Sequence, residues 1–121
     1  MSDKGTILIV DDSEPHRAVI ARELEKVGYN TATADSGAKA IQAVAQEAID
    51  LVLLDVVMPG LDGFTTLRQL RRNNTTQSLP IIMLTARDDA EDVIQALRLG
   101  ANDYAVKPIR LSELMGRIET H

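Results

Sequence analysis

Four short apolar runs in this chain each stop on polar residues: Ile7-Leu8-Ile9-Val10 on Asp11-Asp12, Leu51-Val52-Leu53-Leu54 on Asp55, Ile81-Ile82-Met83-Leu84 on Thr85, and Tyr104-Ala105-Val106 on Lys107. Runs this short, apolar throughout and bounded by turn residues, predict strands buried on both faces, as in a parallel sheet under two layers of helices. The carboxyl ends of parallel strands lie along one edge, so residues far apart in sequence converge there. Three carboxylates, a hydroxyl and an ammonium are therefore expected in one crevice.

Such a cluster is costly unless it is neutralised. Two carboxylates about 5 Å apart repel by about 3 kcal/mol at an effective dielectric of ~20. One lysine does not offset three of them, so a divalent cation is the natural counter-charge. Hard oxygen ligands without sulfur select Mg2+, with Mn2+ as a substitute. Magnesium takes one or two carboxylates, keeps several waters and leaves room for a phosphate oxygen. The pattern suits phosphoryl chemistry.

Between the strands the period becomes helical. Ser13 caps a segment to about Val27, with Pro15 in its first turn, Val19, Ile20, Leu24 and Val27 expected on one face, and Gly28 as a stop. Tyr29 to Ala34 reads as a polar second strand, suited to an edge. Ser36 caps a second helix with Ala40, Ile41, Val44, Ala45 and Ala48 expected inward. A third starts near Gly63, carries Phe64, Leu67 and Leu70, and meets a polar linker from Asn73 to Ser78. A fourth is capped by Asp88 or Asp89, buries Val93, Ile94 and Leu97, and ends at Gly100. A fifth runs from about Leu111 with Leu114, Met115 and Ile118. Five strand-then-helix repeats with right-handed crossovers predict an α/β doubly wound parallel sheet of five strands, flavodoxin-like in its order 2-1-3-4-5, with five helices. Strands one and three then flank the switch point, where Asp11, Asp12 and Asp55 meet.

Composition narrows the function. The 121 residues suit one domain spanning 1-121. Thirteen Lys and Arg against 18 Asp and Glu give a net charge of -5, and no helix carries a basic stripe, so no direct nucleic acid binding is expected. The absence of cysteine excludes disulfides, thiolate metal sites and cysteine nucleophiles, and a cytoplasmic location is expected. The polar start from Met1 to Thr6 does not read as a signal peptide, and no run approaches the ~20 apolar residues of a membrane span, so no membrane association is expected.

Four motifs in order, Ile9-Val10-Asp11-Asp12, Leu54-Asp55-Val56-Val57-Met58-Pro59-Gly60-Leu61-Asp62-Gly63, Leu84-Thr85-Ala86 and Gly100-Ala101-Asn102-Asp103-Tyr104-Ala105-Val106-Lys107-Pro108, mark a resemblance. The chain resembles the receiver domain of two-component response regulators over nearly its whole length. The sheet order given above is also that family's, so the two readings are not independent. The resemblance implies that Asp55 is the phosphoacceptor, charged by a sensor histidine kinase or a histidine phosphotransfer protein in a Mg2+-dependent reaction. It implies that Asp12 binds the metal directly, with Asp55, that Asp11 holds it mainly through water, and that the Val57 carbonyl is a backbone ligand. Lys107 and Thr85 would each hold a phosphoryl oxygen, helped by backbone N–H groups of Val56 and Ala86. Thr85 and Tyr104 would form the switch, and the Lys107-Pro108 peptide is typically cis in the family. The output would go to a downstream protein partner or a fused output domain. The fifth helix closes within two residues of His121, which favours a domain cut from a longer chain. Ala105 and Ile109 depart from the bulkier residues usual at those positions. Val93 and Asn102 stand where the winged-helix subfamily carries charges for its dimer, whereas Arg117 and Asp103 keep theirs.

Competing readings divide on particular residues. A haloacid-dehalogenase-like phosphohydrolase needs a second aspartate two residues after its nucleophile, and here that residue is Val57, which donates no proton. A flavodoxin-like cofactor binder needs a phosphate loop and aromatic stacking surface, and 2% of this chain is aromatic. A receiver-like scaffold that is never phosphorylated has no use for the complete acidic, hydroxyl and lysine set. His16 and His121 fit no metal or phosphorelay pattern and are expected at exposed positions. Gly63 is expected to supply an unusual backbone angle in the loop after Asp55.

Overall fold

The computed structural model describes residues 4–56, 63–75, 77–85, 90–106 and 111–121, with the backbone alone at Thr85, 90–92, Val106 and Leu111. Elements alternate as expected: β1 (Thr6–Val10), α1 (Glu14–Lys26), β2 (Asn30–Ala34), α2 (Gly37–Gln46), β3 (Leu51–Asp55), α3 (Gly63–Arg71), β4 (Ile81–Thr85), α4 (Ala90–Arg98), β5 (Asp103–Val106) and α5 (Leu111–Thr120). The sheet is parallel in every pairing, and its order is β2-β1-β3-β4-β5. β2, the most polar strand, occupies one edge with only its last residue buried, as suits a strand with one neighbour.

Continuous apolar runs are needed because both sheet faces are covered. Leu8, Val10, Val52, Leu54, Ile81, Met83 and Tyr104 point into a layer shared with Ala40 of α2, Phe64, Leu67 and Leu70 of α3, and Ala96 of α4. Their neighbours Ile7, Ile9, Leu51, Leu53, Ile82, Leu84 and Ala105 point the other way, against Leu24 of α1 and Leu114 and Ile118 of α5. This alternation is the two-residue period of a strand, apolar on both phases. Truncating one such Leu or Ile to Ala costs about 2–5 kcal/mol.

The helix ends follow the expected chemistry. The Ser13 and Ser36 hydroxyls accept from His16 N and Lys39 N, satisfying first-turn donors. Gly28 follows the Val27 C-cap at φ 103°, a backbone that glycine takes without strain.

Helix faces depart from expectation in three places. On α1 the inward stripe is Ile20, Ala21 and Leu24, while Val19 and Val27 are exposed, since Val19 lies off that stripe and Val27 is the cap. α2 ends at Gln46. It turns Ala40, Ile41, Ala43 and Val44 inward and leaves Ala45, and Ala48 beyond its end, exposed. On α4 the small Ala96 lies against the sheet with Val93 beside it, and Ile94 and Leu97 are each 49% exposed. A helix buries one stripe only, and on α4 the stripe containing the smaller residue allows the closer approach. The expected α4 caps Asp88 and Asp89 lie outside the described residues.

Candidate functional site

The strand register builds the site. Val10 pairs with Leu54, so Asp11 and Asp55 leave adjacent strands at the same level. Asp55 pairs with Leu84, Leu84 with Ala105, and Thr85 with Val106, which brings the backbone of Thr85 to the same edge. The Thr85 side chain and residues Val57, Ala86 and Lys107 lie outside what the structure describes, as do Pro108 and Ile109.

Asp11, Asp12 and Asp55 each offer a carboxylate oxygen, and these oxygens lie within 4.8 Å of one another. Asp11 and Asp55 are buried, at 3% and 8% exposure, and Asp12 is exposed. At this spacing each pair of charges repels by about 3 kcal/mol at an effective dielectric of ~20, with water screening the pairs that include Asp12. The donor set is all oxygen and includes one exposed carboxylate, which fits magnesium with retained waters.

Asp11 is held firmly. Its N–H continues the sheet by donating to Ala34 O at 3.1 Å. Its Oδ1 accepts from Ser13 N at 2.9 Å, and its carbonyl accepts from Arg17 Nη1 at 2.6 Å. His16 Nδ1 lies 3.6 Å from Oδ2. The histidine is exposed as expected, but it borders the acidic cluster. Neither His16 nor Arg17 was expected at the site. The legible signal was their place in the first turns of a helix that starts directly behind the acidic pair.

Val56 N donates to Leu84 O at 3.2 Å, so that N–H extends the β3–β4 ladder. One expected role changes. Gly63 has no positive φ; among the described residues only Gly5, Gly28 and Gly100 do. Glycine is required there by close approach: its N–H donates to Val56 O at 2.9 Å, and a Cβ would lie 2.6 Å from Val56 Cα. The start of α3 is thereby pressed against the backbone that follows Asp55.

Tyr104 is buried at 8% exposure, in the same layer as Ala96 of α4. Nearby, Arg117 Nη1 bonds Asp103 Oδ1 at 2.8 Å, and His121 Nε2 lies 3.4 Å from Asp103 Oδ2 with its side chain 22% exposed. His121 as a whole is exposed, as expected, and borders Asp103, which pairs with Arg117 within this chain.

This edge is the one at which doubly wound sheets bind ligands. The response regulator receiver domain model matches residues 7–119.

The chain belongs to the response regulator receiver domain family.

Among curated relatives, it is 45% identical over 116 residues to the uncharacterized transcriptional regulatory protein YkoG of Bacillus subtilis, covering 96% of this chain and 50% of that protein. It is 42% identical over 114 residues to the phosphate regulon transcriptional regulatory protein PhoB of Pseudomonas aeruginosa, covering 94% of this chain and 50% of PhoB. The chain spans about half the length of these relatives. The BeF3-activated N-terminal receiver domain of Klebsiella pneumoniae RstA superposes with a TM-score of 0.88 at 34% identity, covering 96% of this chain and 97% of that one. The protein is thus a receiver domain of two-component response regulators, a signalling module with the flavodoxin-like fold seen above. The phosphohydrolase and flavin-binding readings fall with this assignment. No helix among the described residues is long and apolar enough to cross a membrane.

Proposed function

We propose that Asp55 accepts a phosphoryl group from the phosphohistidine of a sensor kinase or phosphotransfer protein, and that Mg2+ is held by Asp12 directly, by Asp55, by Asp11 largely through water, and by the Val57 carbonyl. The observation that carries this reading is the meeting of three carboxylates within 4.8 Å at the carboxyl edge of the sheet. A bound cation supplies charge neutralisation, which lets a phosphate approach three like charges. The rest falls to the chain. Asp55, buried at the end of β3, presents its carboxylate as nucleophile. Asp11 is buried and its backbone is fixed, and Asp12 is exposed beside it. Phosphoryl transfer passes through a loose transition state, so positioning and electrostatics supply most of the catalysis. The bond formed is an acyl phosphate, which water hydrolyses, and this suits a timed signal. Lys107 and Thr85 are assigned to the phosphoryl oxygens, with the backbone N–H groups of Val56 and Ala86.

The output surface proposed is the face of α4, β5 and α5. Exposed Ile94 and Leu97 on α4 favour apolar contact with a partner or fused output domain, with Thr85 and Tyr104 as the coupled switch. Relatives with different outputs, among them the transcriptional regulators and a probable cyclic di-GMP phosphodiesterase of Vibrio cholerae, support a module that serves several of them. A cytoplasmic location belongs to the same reading.

Adding beryllofluoride, a phosphoryl mimic, to protein already saturated with magnesium tests this directly. Amide resonances should shift at Asp11, Asp12 and Asp55 and onward through α4 and β5, and Asp55→Asn should abolish every shift. Shifts that persist in Asp55→Asn, or none in the wild type, would support the unphosphorylated scaffold instead.

A further inference from the structure

The acidic cluster has an unequal construction. Asp11 is buried and tied through its N–H, its carbonyl and its carboxylate. Asp12 is exposed, so its direction is set by the backbone that carries it. The carbonyl of Asp11 and the N–H of Asp12 belong to one planar peptide. Fixing that oxygen fixes the plane from which Asp12 departs. The group that fixes it is Arg17, six residues on and in α1, through an Nη1 donor at 2.6 Å. A charge-assisted bond of this length is among the stronger kinds, and a guanidinium holds its donor direction rigidly.

We propose that Arg17 is a positioning residue for the metal site, acting through the Asp11–Asp12 peptide to aim the Asp12 carboxylate. The inference rests on the magnesium reading of the cluster given above. It also carries a sign that a purely electrostatic role lacks. Arg17 bears the same sign of charge as the metal, so acting by charge alone it weakens cation binding, and its removal would tighten it. Acting by position, its removal loosens binding despite the lost repulsion.

The test is magnesium titration by calorimetry into the full metal-free chain and two variants. Arg17→Met keeps the aliphatic stem and loses both donor and charge; Arg17→Lys keeps the charge and loses the fork. The wild type should bind magnesium. Arg17→Met should bind about threefold or more weakly, short of the roughly 10 to 100-fold typical when a partner of a ligand side chain itself is lost. Arg17→Lys, which keeps the repulsion and loses the rigid donor, should bind at least as weakly as Arg17→Met. The Asp12 and Ser13 amides of metal-free Arg17→Met should shift, while those of β5 stay in place. Equal or tighter binding by Arg17→Met overturns the inference and leaves the magnesium site standing. If Arg17→Met does not fold, Arg17→Lys decides: weaker binding supports positioning, and unchanged binding overturns it. A wild type that binds no magnesium overturns the metal reading, and the inference with it.

Discussion

Two polar clusters in this receiver domain are built on opposite principles. At the carboxyl edge, Asp11, Asp12 and Asp55 gather like charges within 4.8 Å. At the far end of α3, one cation is surrounded by acceptors. Arg71 Nε donates to Gly100 O at 2.7 Å, Nη1 to Leu79 O at 2.7 Å, Thr75 O at 3.1 Å and Asn74 O at 3.3 Å, and Nη2 to Asn102 Oδ1 at 2.8 Å. Asn102 Oδ1 also accepts from Ile81 N, so this knot ties α3 and its following loop to β4 and to the α4–β5 turn. Burial pulls the Arg71 pKa below its ordinary value, and arginine stays charged regardless. The guanidinium is filled by its own fold and has no further chemistry to do. The carboxylates repel one another within the fold, a repulsion that the proposed cation would relieve. Internal satisfaction marks a structural cluster, and concentrated charge of one sign marks a functional one.

The largest effect expected from this contrast is at Arg71. Arg71→Met strands carbonyls in the α3–β4 and α4–β5 turns, and at about 1–3 kcal/mol for each buried group left unsatisfied the loss of stability should reach about 3 kcal/mol or more in urea unfolding. Magnesium affinity should be unchanged. A fully stable Arg71→Met would break the structural half of the comparison.

The opposite sign is expected at the acidic edge. Asp55→Asn removes one of three mutually repelling charges and should raise metal-free stability by about 1 kcal/mol, well under the pairwise repulsion because relaxation and solvent screen it. Saturating magnesium should narrow or reverse the gain, since it stabilises the wild type by mass action. Destabilisation in the metal-free state would show that Asp55 is held structurally.

Within the cluster, Asp12→Ala should weaken magnesium binding more than Asp11→Ala, which alters a group assigned to act through water and typically costs about 10 to 100-fold. Titration of both variants decides it, and the reverse order would exchange the two roles.

The smallest effect on stability belongs to α4. Ile94→Ser and Leu97→Ser replace exposed side chains and should leave the unfolding midpoint within about 0.5 kcal/mol of wild type. A larger loss would place these residues in the core.

The same contrast explains what the sequence discloses. The strands and their order are legible because burial on both faces demands unbroken apolar runs, and the carboxylates are legible because each stands directly at the end of such a run. Arg71 and Arg17 are not legible: their partners are mostly backbone carbonyls, which every residue type supplies alike. Ile94 and Leu97 mislead because α4 carries two overlapping apolar stripes, and the small Ala96 decides which one faces the sheet. Gly63 is legible as a constraint but not as its cause, since close approach to Val56 follows from the packing of α3 and not from local backbone preference.

On the proposed function, the acidic edge admits a phosphoryl group on Asp55 with the help of a divalent cation, which intact mass after incubation with acetyl phosphate measures. A gain of one phosphoryl group is expected in the presence of magnesium or manganese, lost on chelation and lost in Asp55→Asn. Equal labelling with and without metal, or labelling that survives in Asp55→Asn, would overturn it.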